Sequence, residues 1–194
     1  MLKARGTLRI IGGRWRGRRL PIPDAEGLRP TPDRIRETLF NWLAPLLPGA
    51  RCLDLFAGSG ALGLEAASRG AGEVVLIEKS AAVARQLEAN RQLLDAAGVR
   101  VVRADALRWL EGPARPFDIL FLDPPYAARL WVPALERLAR HGWVQPGSRV
   151  YLEAPRDRPL PDLPSGWTTA RAQRAGQVQC ILAEVTDEPE MDRI

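Results

Sequence analysis

From Arg51 onward the chain alternates short apolar runs with longer stretches of helical periodicity, and this alternation limits the fold more than any other feature of the sequence. The runs 51–56, 73–78, 99–104, 117–122 and 148–153 read as strands. Between them lie helices near 60–69, 80–97, 105–111 and 128–140. Strands joined by helices pair in parallel and are covered on both faces, so the expected architecture is a doubly wound, mostly parallel α/β sheet. Ser80 is a good N-cap for the second of these helices, which is expected to stop before Gly98. Beyond Pro164 no helical pattern recurs, and 167–173 with 177–185 read as a C-terminal antiparallel hairpin closing the sheet.

The N-terminal part follows a different pattern. Thr7–Ile11, then Gly12-Gly13, then Arg18–Ile22 reads as a small β-hairpin extension. Pro21, Pro23, Gly27 and Pro30 punctuate a linker. A helix is expected from Pro32, with Ile35, Leu39, Leu43 and Leu46 on one face and Arg34 and Arg36 off it. The expected organisation is a basic hairpin and linker over 1–30, a catalytic domain over 31–186 and an acidic tail over 187–194.

Charge separates the same parts. The net charge is +5, yet residues 1–36 hold ten Lys or Arg against Asp24, Glu26 and Asp33, so the positive excess belongs to the first fifth of the chain. Nearly all of it is arginine, whose planar fork suits phosphate oxygens and guanine edges. The run Arg14-Trp15-Arg16-Gly17-Arg18-Arg19 interleaves an aromatic with the cations, a pattern that favours nucleic-acid contact over a merely solvated basic face. No apolar run approaches the roughly 20 residues that span a bilayer, and no secretory signal precedes the hairpin, so no membrane is involved and the expected location is cytoplasmic. Cys52 and Cys180 sit in apolar stretches and read as buried thiols; no metal site is expected. His141, the only histidine, has the setting of a helix end, which argues against a His-paired hydrolase.

In open α/β sheets ligands bind beyond the carboxyl ends of the strands. The first parallel strand ends in Asp54-Leu55-Phe56-Ala57-Gly58-Ser59-Gly60-Ala61-Leu62-Gly63. Gly58 and Gly60 allow a tight turn and leave no side chain against a bound nucleoside, and Gly63 lets the next helix approach the strand. A Gly-x-Gly loop also suits a dinucleotide. Asp54, four residues before it, suits instead the methionyl amine of S-adenosylmethionine. Glu78, ending the second strand, suits the ribose hydroxyls, and Asp105, ending the third, suits an adenine amino group or the N-cap of the next helix. Phe56 and Ser59 complete the expected cofactor loop.

The fourth strand ends in Asp123-Pro124-Pro125-Tyr126. Two prolines make a rigid turn without N–H groups, so the Asp123 carboxylate and the Pro124 carbonyl can accept the two protons of an exocyclic amine and direct its lone pair at a sulfonium methyl. Tyr126 can stack on the base. The chemistry expected is methyl transfer from S-adenosylmethionine, leaving S-adenosylhomocysteine, to an amino nitrogen without a metal. A base so treated must come from a single-stranded loop or be extruded.

Arg9–Leu20, Arg29–Leu43 and Asp54–Gly70 together resemble the bacterial small-subunit ribosomal RNA guanine-N2 methyltransferase family, type D, with likeness from about Thr7 to Val185. The resemblance implies a Rossmann-like class I methyltransferase fold and a monomer acting on 16S rRNA within the small subunit, at N2 of the guanine numbered 966 in the family's standard name. It implies cofactor binding by Asp54, Gly58, Gly60, Glu78 and Asp105, and guanine binding by Asp123–Tyr126. Arg29, Thr31 and Arg36 would line the cofactor or RNA entrance, Thr31 on the cofactor side. Arg14, Trp15, Arg16, Arg18 and Arg19 would clamp the RNA. The rival readings are an amino-group methyltransferase of DNA adenine or a protein glutamine, an inactive RNA-binding assembly factor, and a dehydrogenase.

Overall fold

The structure is a computed structural model that describes residues 4–23, 33–125 and 130–186. The chain forms two compact units, Met1–Ala106 and Leu107–Ile194.

In the first unit β1 (Ala4–Arg9) pairs antiparallel with β2 (Arg19–Pro23), Leu8 opposite Leu20. Alternation along the two strands buries Leu8, Leu20 and Ile22 together with Ile10. One 3-10 turn, Gly13–Trp15, lies within the connection. Gly13 has φ 74°, and a Cβ there would stand 1.9 Å from the Ser68 carbonyl oxygen, so both conformation and space demand glycine. The helix α1 (Asp33–Leu43) buries Ile35, Leu39, Phe40 and Leu43. It stops at Leu43, so Leu46, expected on its apolar face, falls in the following turn and is 41% exposed. The expected start at Pro32 lies outside the described residues, as do Arg29 and Thr31.

The strands β3 (Arg51–Asp54), β4 (Glu73–Glu78) and β5 (Val99–Arg103) run parallel in the order β5-β4-β3. Val74, Val75, Leu76 and Ile77 are all buried, the continuous apolar run of a strand covered on both faces. Every residue of α2 (Gly63–Ser68) is buried. The helix α3 (Ala81–Leu93) begins where Ser80 Oγ accepts the Val83 N–H. It ends four residues short of the expected 97, because Asp95 adopts a left-handed φ of 49° that breaks the helical run. α3 also supports the hairpin: the Asn90 side chain donates to the Pro21 carbonyl and Arg18 to the Leu93 carbonyl.

In the second unit β6 (Ile119–Leu122) pairs parallel with β7 (Arg149–Pro155). β8 (Trp167–Ala175) and β9 (Val178–Val185) form the expected hairpin, and the order is β6-β7-β9-β8 with β9 antiparallel to both neighbours. The turn α4 (Ala106–Trp109) is shorter than expected, and α5 (Trp131–Arg140) ends at His141 as its C-cap. Trp143 organises the local core: its indole lies 4.4 Å from Trp109 and 6.2 Å from Phe117, and its N–H donates to the Leu110 carbonyl. The sheet is mostly parallel and the fold mixed α/β. Cys52 and Cys180 are buried and are not joined in a disulfide. Among the described residues no helix is long and apolar enough to cross a membrane.

Candidate active site

Asp54 closes β3 and is buried, 2% exposed. Its Oδ2 accepts the Gly63 N–H at 2.9 Å, and the Phe56 N–H also serves it. Burial dominates these bonds and raises its pKa to about 7, with the nearby Glu78 charge adding to the rise. Ionisation at this position therefore wants a cation. Glu78, two residues further along the sheet on β4, is pinned by two backbone donors: Gly58 N–H to Oε2 at 3.1 Å and Ser80 N–H to Oε1 at 2.6 Å. The glycine loop and the strand-end carboxylate thus hold each other, and each oxygen keeps a lone pair for an outside donor. Asp105 accepts Lys79 Nζ at 3.1 Å.

The glycines divide by role. Gly60, with φ 79°, was expected to leave room for a nucleoside, but a Cβ there would meet Leu87 at 2.8 Å and Leu64 at 2.9 Å. Its missing side chain makes room for the protein's own core. At Gly63 a Cβ would lie 2.2 Å from Leu76 Cδ2, so α2 comes as close to β4 as only glycine permits, as the loop pattern implies. Within the loop Phe56 is half-buried and Ser59 is buried.

In the second unit Asp123 follows β6 directly and is half-buried, Pro124 is buried and Pro125 exposed. Tyr126 lies outside the described residues. On β7, the strand paired with β6, Tyr151 donates to Glu153 Oε2 at 2.7 Å, and both are buried. Burial and the Glu153 charge hold the Tyr151 phenol well above its ordinary pKa, with the Asp123 charge a smaller contributor, so it stays a neutral donor.

Two residues expected at an RNA surface are instead inside the protein. Arg36 is 1% exposed. It donates to the Arg9 carbonyl at 3.0 Å, to Asp33 at 2.7 Å and to the Ala61 carbonyl at 3.4 Å, and stands 3.8 Å from Glu65. It therefore ties the hairpin and α1 to the glycine loop. Trp15 is also buried: its backbone N–H donates to Ser68 Oγ, and Arg14 covers its ring at 4.0 Å. A surface cluster needs its aromatic free to stack, whereas this one fills the seam between the hairpin and α2. Arg14, Arg16, Arg18 and Arg19 remain exposed.

Glu65 and Ser68 are absent from the residues expected to matter, yet both organise the loop and hairpin. Glu65 has no exposure and accepts the Ile11 and Gly12 N–H groups at 2.8 Å each and Arg69 Nε at 2.7 Å. Ser68 Oγ donates to the Gly12 carbonyl at 2.6 Å. One signal marks Glu65 in the sequence: it is an acid in an otherwise small and apolar run, Ala61-Leu62-Gly63-Leu64-Glu65-Ala66-Ala67, where a charge persists only if paired.

A structure from Escherichia coli, provisionally named a methyltransferase, superposes with a TM-score of 0.88 at 45% identity, covering 93% of this chain and 99% of that one. An RNA methyltransferase from Salinibacter ruber, in complex with S-adenosyl-L-homocysteine, shares the fold at a TM-score of 0.59 and 20% identity, covering 84% of this chain and 98% of that one. Together with the strand-end carboxylates this defines a Rossmann-like class I methyltransferase fold. Ribosomal RNA small subunit methyltransferase D of Escherichia coli strain K12 is 47% identical over 187 residues, 96% of this chain and 94% of that protein. Its Haemophilus influenzae namesake is 44% identical over 183 residues, 92% of this chain and 94% of that protein. The chain belongs to their family, described as conserved hypothetical protein 95, whose pattern matches residues 8–184.

Proposed function

We propose that the protein transfers a methyl group from S-adenosylmethionine to the exocyclic N2 of a guanine of 16S rRNA, guanine-966 in the family's numbering, in the small ribosomal subunit. The observation that carries the cofactor half is Asp54: a fully buried carboxylate whose pKa stands at about 7 for want of a counter-charge is matched by an ammonium. Glu78 would accept from the ribose, Asp105 from the adenine amino group, and Phe56, Gly58, Ser59 and Gly60 would form the cradle; Thr31 is proposed to complete it. When bound, the sulfonium supplies an electrophilic methyl. The relatives named ribosomal RNA small subunit methyltransferase D support an RNA substrate, and a cytoplasmic setting is part of the same proposal.

The amino nitrogen of guanine is a poor nucleophile because its lone pair is delocalised into the ring. Asp123 and the Pro124 carbonyl would accept its two protons and favour the pyramidal nitrogen that attacks, Pro125 would stiffen the turn, and Tyr126 would stack on the base. The methylated nitrogen then loses one proton, which Asp123 would receive. Arg14, Arg16, Arg18, Arg19 and Arg29 would engage phosphates, with the protein acting as a monomer.

The test is methylation of purified small subunits, naked 16S rRNA and DNA with labelled S-adenosylmethionine, followed by mapping of the base. Label confined to one guanine N2 supports the reading; label in DNA adenine or in protein overturns it. Asp123→Ala should lose about 10²–10³-fold in turnover with the affinity for S-adenosylhomocysteine unchanged.

A further inference from the structure

The basic excess of the chain lies in its first fifth, but the second unit has a local concentration of its own. Arg156, Arg158, Arg171 and Arg174 are all exposed, and the acids within 155–177 are Asp157 and Asp162 alone. Strand register locates them. Leu122 of β6 stands level with Leu152 of β7, Ile181 of β9 and Ala172 of β8. Asp123 leaves β6 immediately after that row. Two positions beyond the row, Ala154, Gln179 and Arg174 are level, and β7 ends at Pro155, where Arg156-Asp157-Arg158 turn back. The turn bearing Asp123 and the turn bearing Arg156 and Arg158 therefore leave the same end of the sheet. With strands about 4.8 Å apart, Arg156 follows the neighbouring strand and Arg174 sits three strands over, a span of roughly 5 to 15 Å. A few nucleotides of a stacked strand, at about 3.4 Å per phosphate, cover it.

This rim is held in shape. The Arg158 N–H donates to the Pro155 carbonyl at 3.1 Å and the Arg156 N–H to the Gln177 carbonyl at 2.8 Å. The Gln179 side-chain amide donates to the Pro155 carbonyl at 3.3 Å and also to the Arg158 carbonyl. Arginine on an outer strand also discourages edge pairing, which accounts for Arg171 on β8 and suits Arg174 on the same strand. It does not account for Arg156 and Arg158, which lie on a turn with no ladder to protect.

We propose that Arg156, Arg158 and Arg174 form a phosphate-binding rim that grips the RNA strand flanking the base presented to Asp123. The inference rests on the RNA-methyltransferase reading above and adds a second contact surface, separate from the N-terminal hairpin. Guanidinium forks bind phosphate oxygens in two-point fashion without reading sequence, as flanking contacts require.

The experiment compares the full-length chain with Arg156→Ala/Arg158→Ala/Arg174→Ala and with the Arg→Lys triple variant. Affinity for 16S rRNA and for small subunits is measured across a salt series, together with S-adenosylhomocysteine binding and melting temperature. The alanine variant is expected to bind RNA at least tenfold more weakly, with a salt slope reduced by about 2 to 3, or roughly 0.7–0.9 per phosphate lost. Cofactor binding and melting should not change, and the lysine variant should recover most of the slope. Unchanged affinity and slope in the alanine variant, with wild-type protein methylating RNA normally, would overturn the rim alone. Weaker binding to subunits with unchanged binding to naked rRNA would also overturn it, by assigning the arginines to a ribosomal protein. Wild-type protein that neither binds nor methylates RNA would instead remove the functional reading beneath it.

Discussion

The β1–β2 hairpin at the head of the chain and the β8–β9 hairpin at its tail are both antiparallel pairs, yet they are attached by different means. β9 continues the ladder of the sheet through β7, so its position follows from backbone pairing and from buried Cys180, Ile181, Leu182 and Ala183. β1 and β2 pair with each other as a separate two-stranded sheet. Their place on the first unit rests on side chains: Glu65, Ser68, Asn90 and Arg36 each reach a backbone group of the hairpin, Arg18 reaches back to the Leu93 carbonyl, and buried Trp15 fills the seam with α2. A ladder spreads attachment over many weak bonds, whereas a buried carboxylate concentrates it in one residue.

That difference is open to direct attack. Glu65→Ala should have the largest effect: it removes the 2.7 Å ion-pair partner of Arg69, the second counter-charge of Arg36 and the acceptor of two hairpin amides, costing about 3–5 kcal/mol. Denaturant unfolding measures this, and a loss under 1 kcal/mol would show that the hairpin is held in another way. Next comes pH. The folded-state pKa of Asp54 is raised to about 7 from an ordinary 3.8, so its contribution to stability is complete below pH 4, declines from pH 4 to 7 and is gone above. In that window the ligand-free protein should lose about 1.4 kcal/mol per pH unit from this group, and Asp54→Asn should flatten the profile. S-adenosylhomocysteine should bind more tightly as pH rises towards 7, since the ionised carboxylate meets the ammonium; pH-independent binding would contradict that pairing. In the second unit burial pushes Cys180 up to about 11, so its thiol should resist alkylation at pH 8.

Smaller effects complete the comparison. Ser68→Ala removes the acceptor of the Trp15 N–H and the donor to the Gly12 carbonyl, and should cost about 1–3 kcal/mol while loosening amide exchange in residues 10–16. Gln179→Ala, the corresponding lesion at the tail hairpin, should cost only about 0.5–1.5 kcal/mol, because the ladder remains. Equal losses from the two would erase the distinction between the hairpins.

The sheet was legible in the sequence because buried parallel strands are written as unbroken apolar runs: Val74–Ile77 and Ile119–Leu122 could be little else. Asp54, Glu78 and Asp123 were legible as polar residues at the ends of such runs, where a ligand would be met. Arg36 and Trp15 were not. Helical periodicity assigns Arg36 to the outside of α1, and its burial depends on Glu65 and on the Arg9 and Ala61 carbonyls, partners that local pattern cannot supply. Trp15 among arginines has the composition of a nucleic-acid surface, and its burial comes with a backbone N–H bond to Ser68, 53 positions away, that local composition cannot supply. The end of α1 was misjudged because Leu46 kept the apolar spacing after the helical backbone had stopped, and α3 stopped early at the left-handed Asp95.

The bonds that Glu65 and Ser68 make to the hairpin join residues 53 to 56 positions apart in the chain, and this separation governs when they can form. During synthesis β1 and β2 emerge first, but Glu65 and Ser68 must be made and wound into α2 before the hairpin has anything to close upon. Contacts of such span bear the loop-closure entropy before they return any stability, so docking should be a late event in folding. Until then the most basic stretch of the chain is tethered only by its own two strands. Substitutions at the dock should therefore raise the unfolding rate and leave the folding rate nearly untouched.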